Sequence, residues 1–309
     1  MSAIVGPIVR RLRAPLRVAV LGRAGVGRRT VAAALSAAGT AVTDDPASAQ
    51  LRAVVVAETL KPEDRALIAA GGQPTLVVLN KADLAGFGEG GPIAAARRRA
   101  ARLRALTGEP TVPMVALLAT ADVDDELGAA LRVLVRTPAD LTSTDSFLSG
   151  DHPLPVEVRR RLLAALDRYG IAHALLALAS GTDPDLPALL RRLSLLDEVL
   201  AALHAVGAPV RYRRLQRALT ELRALAARTR DDELAALLAA DDTVLAEMTA
   251  AVEVVEAAGL RVDRADDPAA HLRRARHWRR YRDGPVTPLH RSCAAAICRG
   301  SLRLHARPR

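Results

Sequence analysis

The chain has 309 residues, 50% of them apolar and only 2% aromatic, and it carries a formal net charge of +10 at pH 7. Its core must therefore be built from Leu, Ala and Val, and its length favours about two domains. With only Cys293 and Cys298, the sequence excludes a disulfide framework and a cysteine zinc site, so a reducing compartment is expected. The positive charge permits nucleic acid, an anionic membrane or an acidic protein as partner, without choosing among them.

Residues 1–15 contain Arg10, Arg11 and Arg13, and their apolar part is too short and wrongly ordered for a signal peptide. No charge-free apolar stretch reaches the roughly 18 residues of a spanning helix. We therefore expect a cytoplasmic protein, either soluble or peripheral at the inner face of the membrane.

A glycine-rich loop follows the first predicted strand. Residues 17–21 form that strand, residues 22–30 read Gly-Arg-Ala-Gly-Val-Gly-Arg-Arg-Thr, and an alanine-rich helix then extends to about Ala38. In this order the backbone amides and the helix N-terminus face an anion, which predicts phosphate binding, although such a turn also fits plain packing. The predicted phosphate-binding residues are Gly22, Gly25, Gly27, Arg28, Arg29 and Thr30.

The loop departs from the usual phosphate-binding pattern at two positions. That pattern has Lys and then Ser or Thr after the second glycine, where this chain has Arg28 and Arg29, with Thr30 one place later. Arg28 can contribute positive charge in a different geometry, whereas Arg29 cannot ligate a metal. No metal site is predicted, and Mg²⁺ is not expected as a firm ligand. Asp44 and Asp45 either form a turn after a short strand at residues 40–43 or approach a metal.

The segment 75–83, Thr-Leu-Val-Val-Leu-Asn-Lys-Ala-Asp, predicts a buried parallel strand with polar residues at its carboxyl end. The carboxylate of Asp83 can accept two hydrogen bonds from the N1 and N2 donors of guanine. Asn80 can brace the loop and reach the base, and the stem of Lys81 can lie over the ring. Asn80 is the only asparagine in the chain, which favours this interpretation over a plain polar turn.

Together the glycine loop and the Asn-Lys-Ala-Asp segment resemble the P-loop GTPases of the Era-like and bacterial dynamin-like branch, over residues 16–136. The resemblance implies a central strand at 52–58, a helix at 61–70 and a last strand at 112–118. It also implies that residues 119–121, Ala-Thr-Ala, form the loop over the base. GTP or GDP is the implied ligand.

Both switch regions of that family are missing, because Asn80 follows Gly22 by only 58 positions. The switches order Mg²⁺ and position the attacking water. We therefore expect metal-independent binding of GDP or GTP with little turnover. Slow hydrolysis assisted by a partner and an empty structural relic are the alternatives.

The predicted fold class is α/β, with a reduced parallel-sheet P-loop domain at residues 1–140 followed by an all-helical domain at 150–309. A linker rich in Ser, Thr, Asp, Gly and Pro at 137–155 separates them. A basic helix at 93–106 is interpreted as a solvated face or a nucleic-acid surface. Apolar spacing predicts further helices at 156–169, 171–180, 185–206, 210–227, 231–239 and 241–258.

The C-terminal segment 271–282 is basic and contains Trp278, the only tryptophan. It either docks Trp278 into the helical domain or binds anionic lipid, phosphate or an acidic protein. A last helix at 289–304 is expected to bury its cysteines.

Three hypotheses for the whole protein follow. It is a nucleotide-binding protein whose helices act on a partner protein, another GTPase chain or a membrane assembly; a nucleotide-free pseudo-GTPase scaffold; or an RNA- or ribosome-associated factor.

Overall fold

The computed structural model describes residues 2–86, 88–180 and 184–307, and it divides into two compact units. The sheet unit is Leu16–Leu203. The helical unit combines Met1–Pro15 with His204–Arg309.

The sheet unit contains a parallel sheet of five strands, in the order β2-β1-β3-β4-β5. The strands β3 and β4 are buried along their whole length, because their runs of Val, Leu and Ala are covered on both faces. The α/β class and the parallel sheet are therefore confirmed. The strands are β1 Val18–Leu21, β2 Val42–Thr43, β3 Leu51–Ala57, β4 Thr75–Asn80 and β5 Thr111–Pro113.

Fourteen α-helices lie in the described residues, and a 3-10 turn at Ala82–Leu84 follows β4. In chain order the helices are α1 Ser2–Arg13, α2 Arg28–Ala37, α3 Pro62–Ala69, α4 Gly91–Thr107, α5 Ala116–Ala119, α6 Asp125–Arg136, α7 Thr144–Ser149, α8 Val156–Ala179, α9 Leu186–Ser194, α10 Leu196–Thr229, α11 Asp232–Ala239, α12 Asp241–Ala257, α13 Pro268–Asp283 and α14 Pro288–His305.

The boundary between the two units lies further along the chain than the predicted linker at 137–155. Leu162, Leu166 and Ile171 of α8 are fully buried in the same core as Val54 of β3 and Val77 of β4. The sheet unit therefore extends to Leu203, inside α10. The physical reason is that the sheet needs the apolar faces of α8 and α9 to exclude water from it.

The prediction of a last strand at 112–118 is wrong for the second half of that range. β5 ends at Pro113, and the chain turns into the short helix α5 at Ala116. The backbone N–H of Ala116 donates to the side chain of Asn80 rather than to a neighbouring strand. A side chain from β4 has thus replaced the sheet pairing there.

Two predicted helix breaks are displaced. The helix α8 runs through Gly170, and its non-helical residue is Asp167, with φ 50 and ψ 177. The helix α10 likewise continues through Pro209, and the chain breaks at Leu195 instead. Gly170 serves close packing, because a Cβ there would lie 2.7 Å from Cδ2 of Leu118. Packing has overridden the local helix-breaking signals.

The helical unit has its own apolar core, in which Trp278 is 1% exposed and Cys293 is fully buried. Trp278 packs edge to face with Tyr281, with ring centroids 5.2 Å apart. The docking interpretation of the C-terminal segment is confirmed, as is the burial of Cys293, while Cys298 is half-buried.

Among the described helices, α8 is long and apolar enough to span a membrane, and so is the bent pair of α9 and α10; core helices of soluble proteins also meet that criterion.

Candidate functional site

The carboxyl ends of parallel strands meet at one edge of a sheet, and in this chain polar loops leave that edge. β1 pairs with both β2 and β3, so the strand order changes direction beside β1. The glycine loop, residues 22–27, follows β1, and the segment Asn80 to Asp83 follows β4. The fold therefore brings both predicted motifs to the same edge.

The glycine loop is shaped by contacts that only glycine permits. Gly22 has φ 155, and a Cβ there would lie 2.7 Å from the carbonyl oxygen of Val55. Gly25 and Gly27 both have φ 84, in the left-handed region. The helix α2 starts directly after Gly27, and no side chain caps its first turn. Its first backbone amides are thus not used by a side-chain cap and can face an anion.

The side chain of Asn80 links two loops at this edge through hydrogen bonds. Its side chain is 4% exposed, its Nδ2 donates to the carbonyl of Val26 at 2.9 Å, and its Oδ1 accepts from the N–H of Ala116 at 3.0 Å. A Cβ at Gly27 would lie only 2.3 Å from that Nδ2. Asn80 thereby joins the glycine loop, β4 and the loop after β5. The predicted bracing role of Asn80 is observed, and its contact with the loop after β5 is at Ala116.

Lys81 and Asp83 leave the edge in a tight turn. Lys81 is exposed and has the left-handed values φ 57 and ψ 43. Ala82 is held by a hydrogen bond from its N–H to the carbonyl of Met114 at 3.1 Å. Asp83 is half-buried, and its burial raises the pKa of its carboxyl, against a hydrogen bond from its own backbone that lowers it.

The helix α8 contributes residues to the Asp83 environment that the sequence did not point to. The negative charge of Asp167 adds to the raised pKa of Asp83, and Lys81 partly offsets it. Burial, and then the charge of Asp83, raise the pKa of Tyr169. The ring of Tyr169 also packs against His173, with centroids 4.5 Å apart. Neither Asp167 nor Tyr169 stands in a recognisable motif, so only the fold reveals them.

Arg23 ties the glycine loop to α3. Its Nε lies 3.3 Å from Oδ2 of Asp64, and its Nη2 lies 3.4 Å from the carbonyl oxygen of Ala57. Asp64 is fully buried, and the same Oδ2 accepts from the N–H of Lys61 at 3.1 Å. Its other oxygen, Oδ1, has no hydrogen-bond partner in the described structure. The sequence Lys-Pro-Glu-Asp at the start of α3 could have indicated that Asp64 caps this helix. It contained no signal that Asp64 also pairs with Arg23.

The remaining predicted residues lie at the same edge. Arg28 and Arg29 are exposed, and neither guanidinium forms an ion pair or hydrogen bond with another described residue. Thr30 is half-buried in the first turn of α2. Asp44 is exposed, whereas Oδ1 of Asp45 accepts from the N–H of Ala47 at 3.0 Å and so forms the turn.

The described residues contain no group of three or more His, Cys, Asp or Glu side chains placed to hold a metal ion. No family model, no curated protein and no solved structure matches this chain. The class that the geometry defines is therefore a parallel α/β protein whose glycine loop and Asn-Lys-Ala-Asp segment share one edge of the sheet.

Proposed function

We propose that the sheet unit binds a guanine nucleotide, GDP or GTP, and hydrolyses it slowly or not at all. The observation that carries this proposal is the double hydrogen bond of Asn80 to Val26 and Ala116. It fixes a phosphate-type loop and a guanine-type segment in one rigid arrangement. Preorganisation of this kind reduces the entropic cost of ordering loops on binding.

The phosphates would be bound by backbone amides and by arginine rather than through a metal. The uncapped first turn of α2 supplies amides and the positive end of the helix dipole. Arg28 and Arg29 add two guanidinium groups, which bind phosphate oxygens in pairs of hydrogen bonds. Arg29 replaces the hydroxyl that would ligate Mg²⁺, so binding does not depend on the metal.

Guanine would be selected by Asp83. An ionised carboxylate accepts from N1 and N2 of guanine, a pair of donors that adenine lacks. The half-buried position of Asp83 strengthens such bonds, because water competes less there. Tyr169 and Lys81 are further groups near this carboxylate that could contact the base.

Slow turnover follows from the short connections at the phosphate end. The helix α2 ends at Ala37, and β2 already begins at Val42; β3 begins at Leu51, soon after β2 ends at Thr43. These connections leave no room for two switch segments that would order a metal and position water. The protein is thus proposed to act as a binding module whose helices contact a partner protein, another GTPase chain or a membrane-associated assembly.

A nucleotide-free pseudo-GTPase scaffold is the second candidate. One observation favours it: both polar atoms of the Asn80 amide already bond within the protein. In this candidate the motif serves folding alone, and the edge is a docking surface for a partner.

The test is a titration of the purified protein with GDP, GTP and ATP, each with Mg²⁺ and with EDTA. We expect binding of both guanine nucleotides, equal with and without the metal, and no binding of ATP. Asp83→Asn should weaken GDP binding about 10- to 100-fold and improve binding of the xanthine nucleotide, whose edge suits an amide. Asp44→Asn, which removes an exposed carboxylate from the same unit, is the control and should bind GDP like the wild type. Absence of binding under every condition supports the scaffold instead.

A further inference from the structure

The net charge of the protein resides entirely in the helical unit. The sequence ranges of that unit contain 23 arginines against 13 aspartates and glutamates, a balance of +10. The range of the sheet unit contains 21 basic and 21 acidic residues, and is neutral. A partner selected by charge would therefore bind the helical unit.

The helix α13 divides its arginines between the core and the solvent. On its buried face, Arg274 donates from Nε to the hydroxyl of Ser301 at 2.9 Å and from Nη1 to the carbonyl of Asp263 at 2.8 Å. Trp278, on the same face, is 1% exposed. The opposite face carries four exposed arginines, here called the arginine stripe: Arg273, Arg276, Arg279 and Arg280.

The arginine stripe is largely unneutralised. Arg273 lies 3.9 Å from Asp263, at the limit of an ion pair. The other three form no ion pair or hydrogen bond with any other described residue. Other exposed arginines of the chain do have acidic partners: Arg97 pairs with Glu198 at 2.6 Å, and Arg264 pairs with Glu256 at 2.7 Å. The stripe from Arg273 to Arg280 extends about 10 Å along the helix.

The chemistry of the exposed face distinguishes between polyanions. No large apolar side chain of α13 is fully exposed, and Leu272 and Tyr281 are half-buried, so the helix presents no continuous apolar face to lipid chains. Binding of single strands relies on exposed aromatic rings, whereas Trp278 and Tyr212 are buried. The half-buried ring of Tyr281 packs against Trp278, and its hydroxyl lies 2.8 Å from Nδ1 of His290. A row of guanidinium groups along one face of a helix matches the closely spaced phosphates of a duplex. We infer that the arginine stripe of α13 docks on the phosphate backbone of a double-stranded nucleic acid, without base specificity.

The test uses the full chain without added nucleotide and a labelled DNA or RNA duplex of roughly 20 base pairs. Binding is followed by fluorescence anisotropy from about 50 to about 200 mM salt. The triple variant R276Q/R279Q/R280Q should bind at least about tenfold more weakly at low salt. The slope of log affinity against log salt should become shallower by about 3, because each lost phosphate contact removes nearly one unit.

The control is R99Q/R102Q/R104Q, which removes the same charge from α4 of the neutral sheet unit and should leave duplex binding unchanged. Unfolding midpoints of both variants confirm that they fold. Three results would overturn the inference: a wild type that does not bind duplex at low salt, a stripe variant that binds like the control, or vesicles containing phosphatidylserine that capture the wild type through the stripe while duplex does not. Because the sheet unit is not involved, a failed guanine titration leaves this test intact.

Discussion

Asn80 shows how one side chain can define an edge of a sheet. It is the only asparagine in the chain, and it is buried where three loops meet. Each of its amide atoms satisfies a backbone group, Val26 O and Ala116 N, that would otherwise be buried without a partner. A shorter or apolar residue there would leave both groups unpaired, which explains the need for asparagine in a chain that has no other.

A matched pair of glycine substitutions isolates this contact. Gly25→Ala introduces a left-handed alanine into open space and should lower the free energy of unfolding by about 1 kcal/mol. Gly27→Ala has the same φ but places its Cβ 2.3 Å from Nδ2 of Asn80, so the loss should be about 3 kcal/mol. In an Asn80→Ala background the two substitutions should cost the same. Urea denaturation measures the wild type and the five variants. If Gly27→Ala still costs more than Gly25→Ala in the Asn80→Ala background, Asn80 is not the clashing group.

The pH dependence of stability follows from the burial of Asp83. Burial is the main cause that raises the pKa of its carboxyl above the ordinary value of 3.8. The folded state therefore binds the proton of Asp83 more tightly than the unfolded state. The free energy of unfolding falls as the pH rises from the ordinary pKa of this carboxyl to its raised pKa in the folded protein. Asp83→Asn removes the cost of burying an ionised carboxylate. The free energy of unfolding of the variant should therefore exceed that of the wild type by an amount that grows from about pH 4 upward and levels off above the raised pKa of Asp83. Urea titrations at several pH values measure it, with Asp44→Asn as control; a constant difference would contradict the burial argument.

At the scale of elements, close packing of helices determines where glycine is required. In the helical unit α12 and α14 are in close contact at Gly300, where a Cβ would lie 2.6 Å from Cβ of Met248. In the sheet unit, Gly128 of α6 faces open space, with the nearest atom 3.7 Å away at the end of Arg132. The two helical glycines have different roles that sequence alone does not distinguish.

Gly300→Ala and Gly128→Ala should therefore have opposite effects. Gly300→Ala must push α12 and α14 apart, because Met248 Cβ is attached to the backbone and cannot rotate away; a loss of about 2 kcal/mol is expected. Gly128→Ala gains helix propensity in an open position and should stabilise by about 1 kcal/mol. Thermal and urea unfolding of the two variants provides the comparison. Equal effects would mean that the Met248 contact does not constrain α14.

At the scale of the whole molecule, each unit has its own buried core. One core surrounds the sheet and includes Leu162 and Leu166 of α8. The other surrounds Trp278 and includes Tyr212 and Ile297. The neutral unit contains the candidate nucleotide site, and the cationic unit contains the arginine stripe. The proposed nucleotide binding and the proposed duplex binding therefore involve different parts of the chain.

Hydrogen exchange with saturating GDP should show this division. At about 100 times its dissociation constant a ligand adds about 2.7 kcal/mol to the unit that binds it. Amides of β1, β3 and β4 should exchange up to about 100-fold more slowly, while those of α13 and α14 remain unchanged. Equal protection of both units would show that they unfold together, and protection confined to the helices would place the nucleotide elsewhere.

Much of the sheet edge could be predicted from the sequence because its signals are local. Apolar runs bounded by turns predicted β1 and β4, and the family resemblance implied β3. A helix was predicted directly after the glycine-rich segment 22–30, and α2 starts slightly earlier, at Arg28. The position of Asn80 and Asp83 at the carboxyl end of a buried strand followed from the same pattern. These features depend on residues adjacent in the chain, where periodicity and turn chemistry carry the information.

Only the tertiary structure decided the features that depend on distant residues. It brought Asp167 and Tyr169 of α8 within electrostatic range of Asp83, paired Arg23 with Asp64, and directed Asn80 to Ala116. It also moved the division of the chain from the linker to Leu203. The physical reason is that a sheet must cover both apolar faces, and the helices that do so are selected by packing across long sequence separations rather than by local propensity.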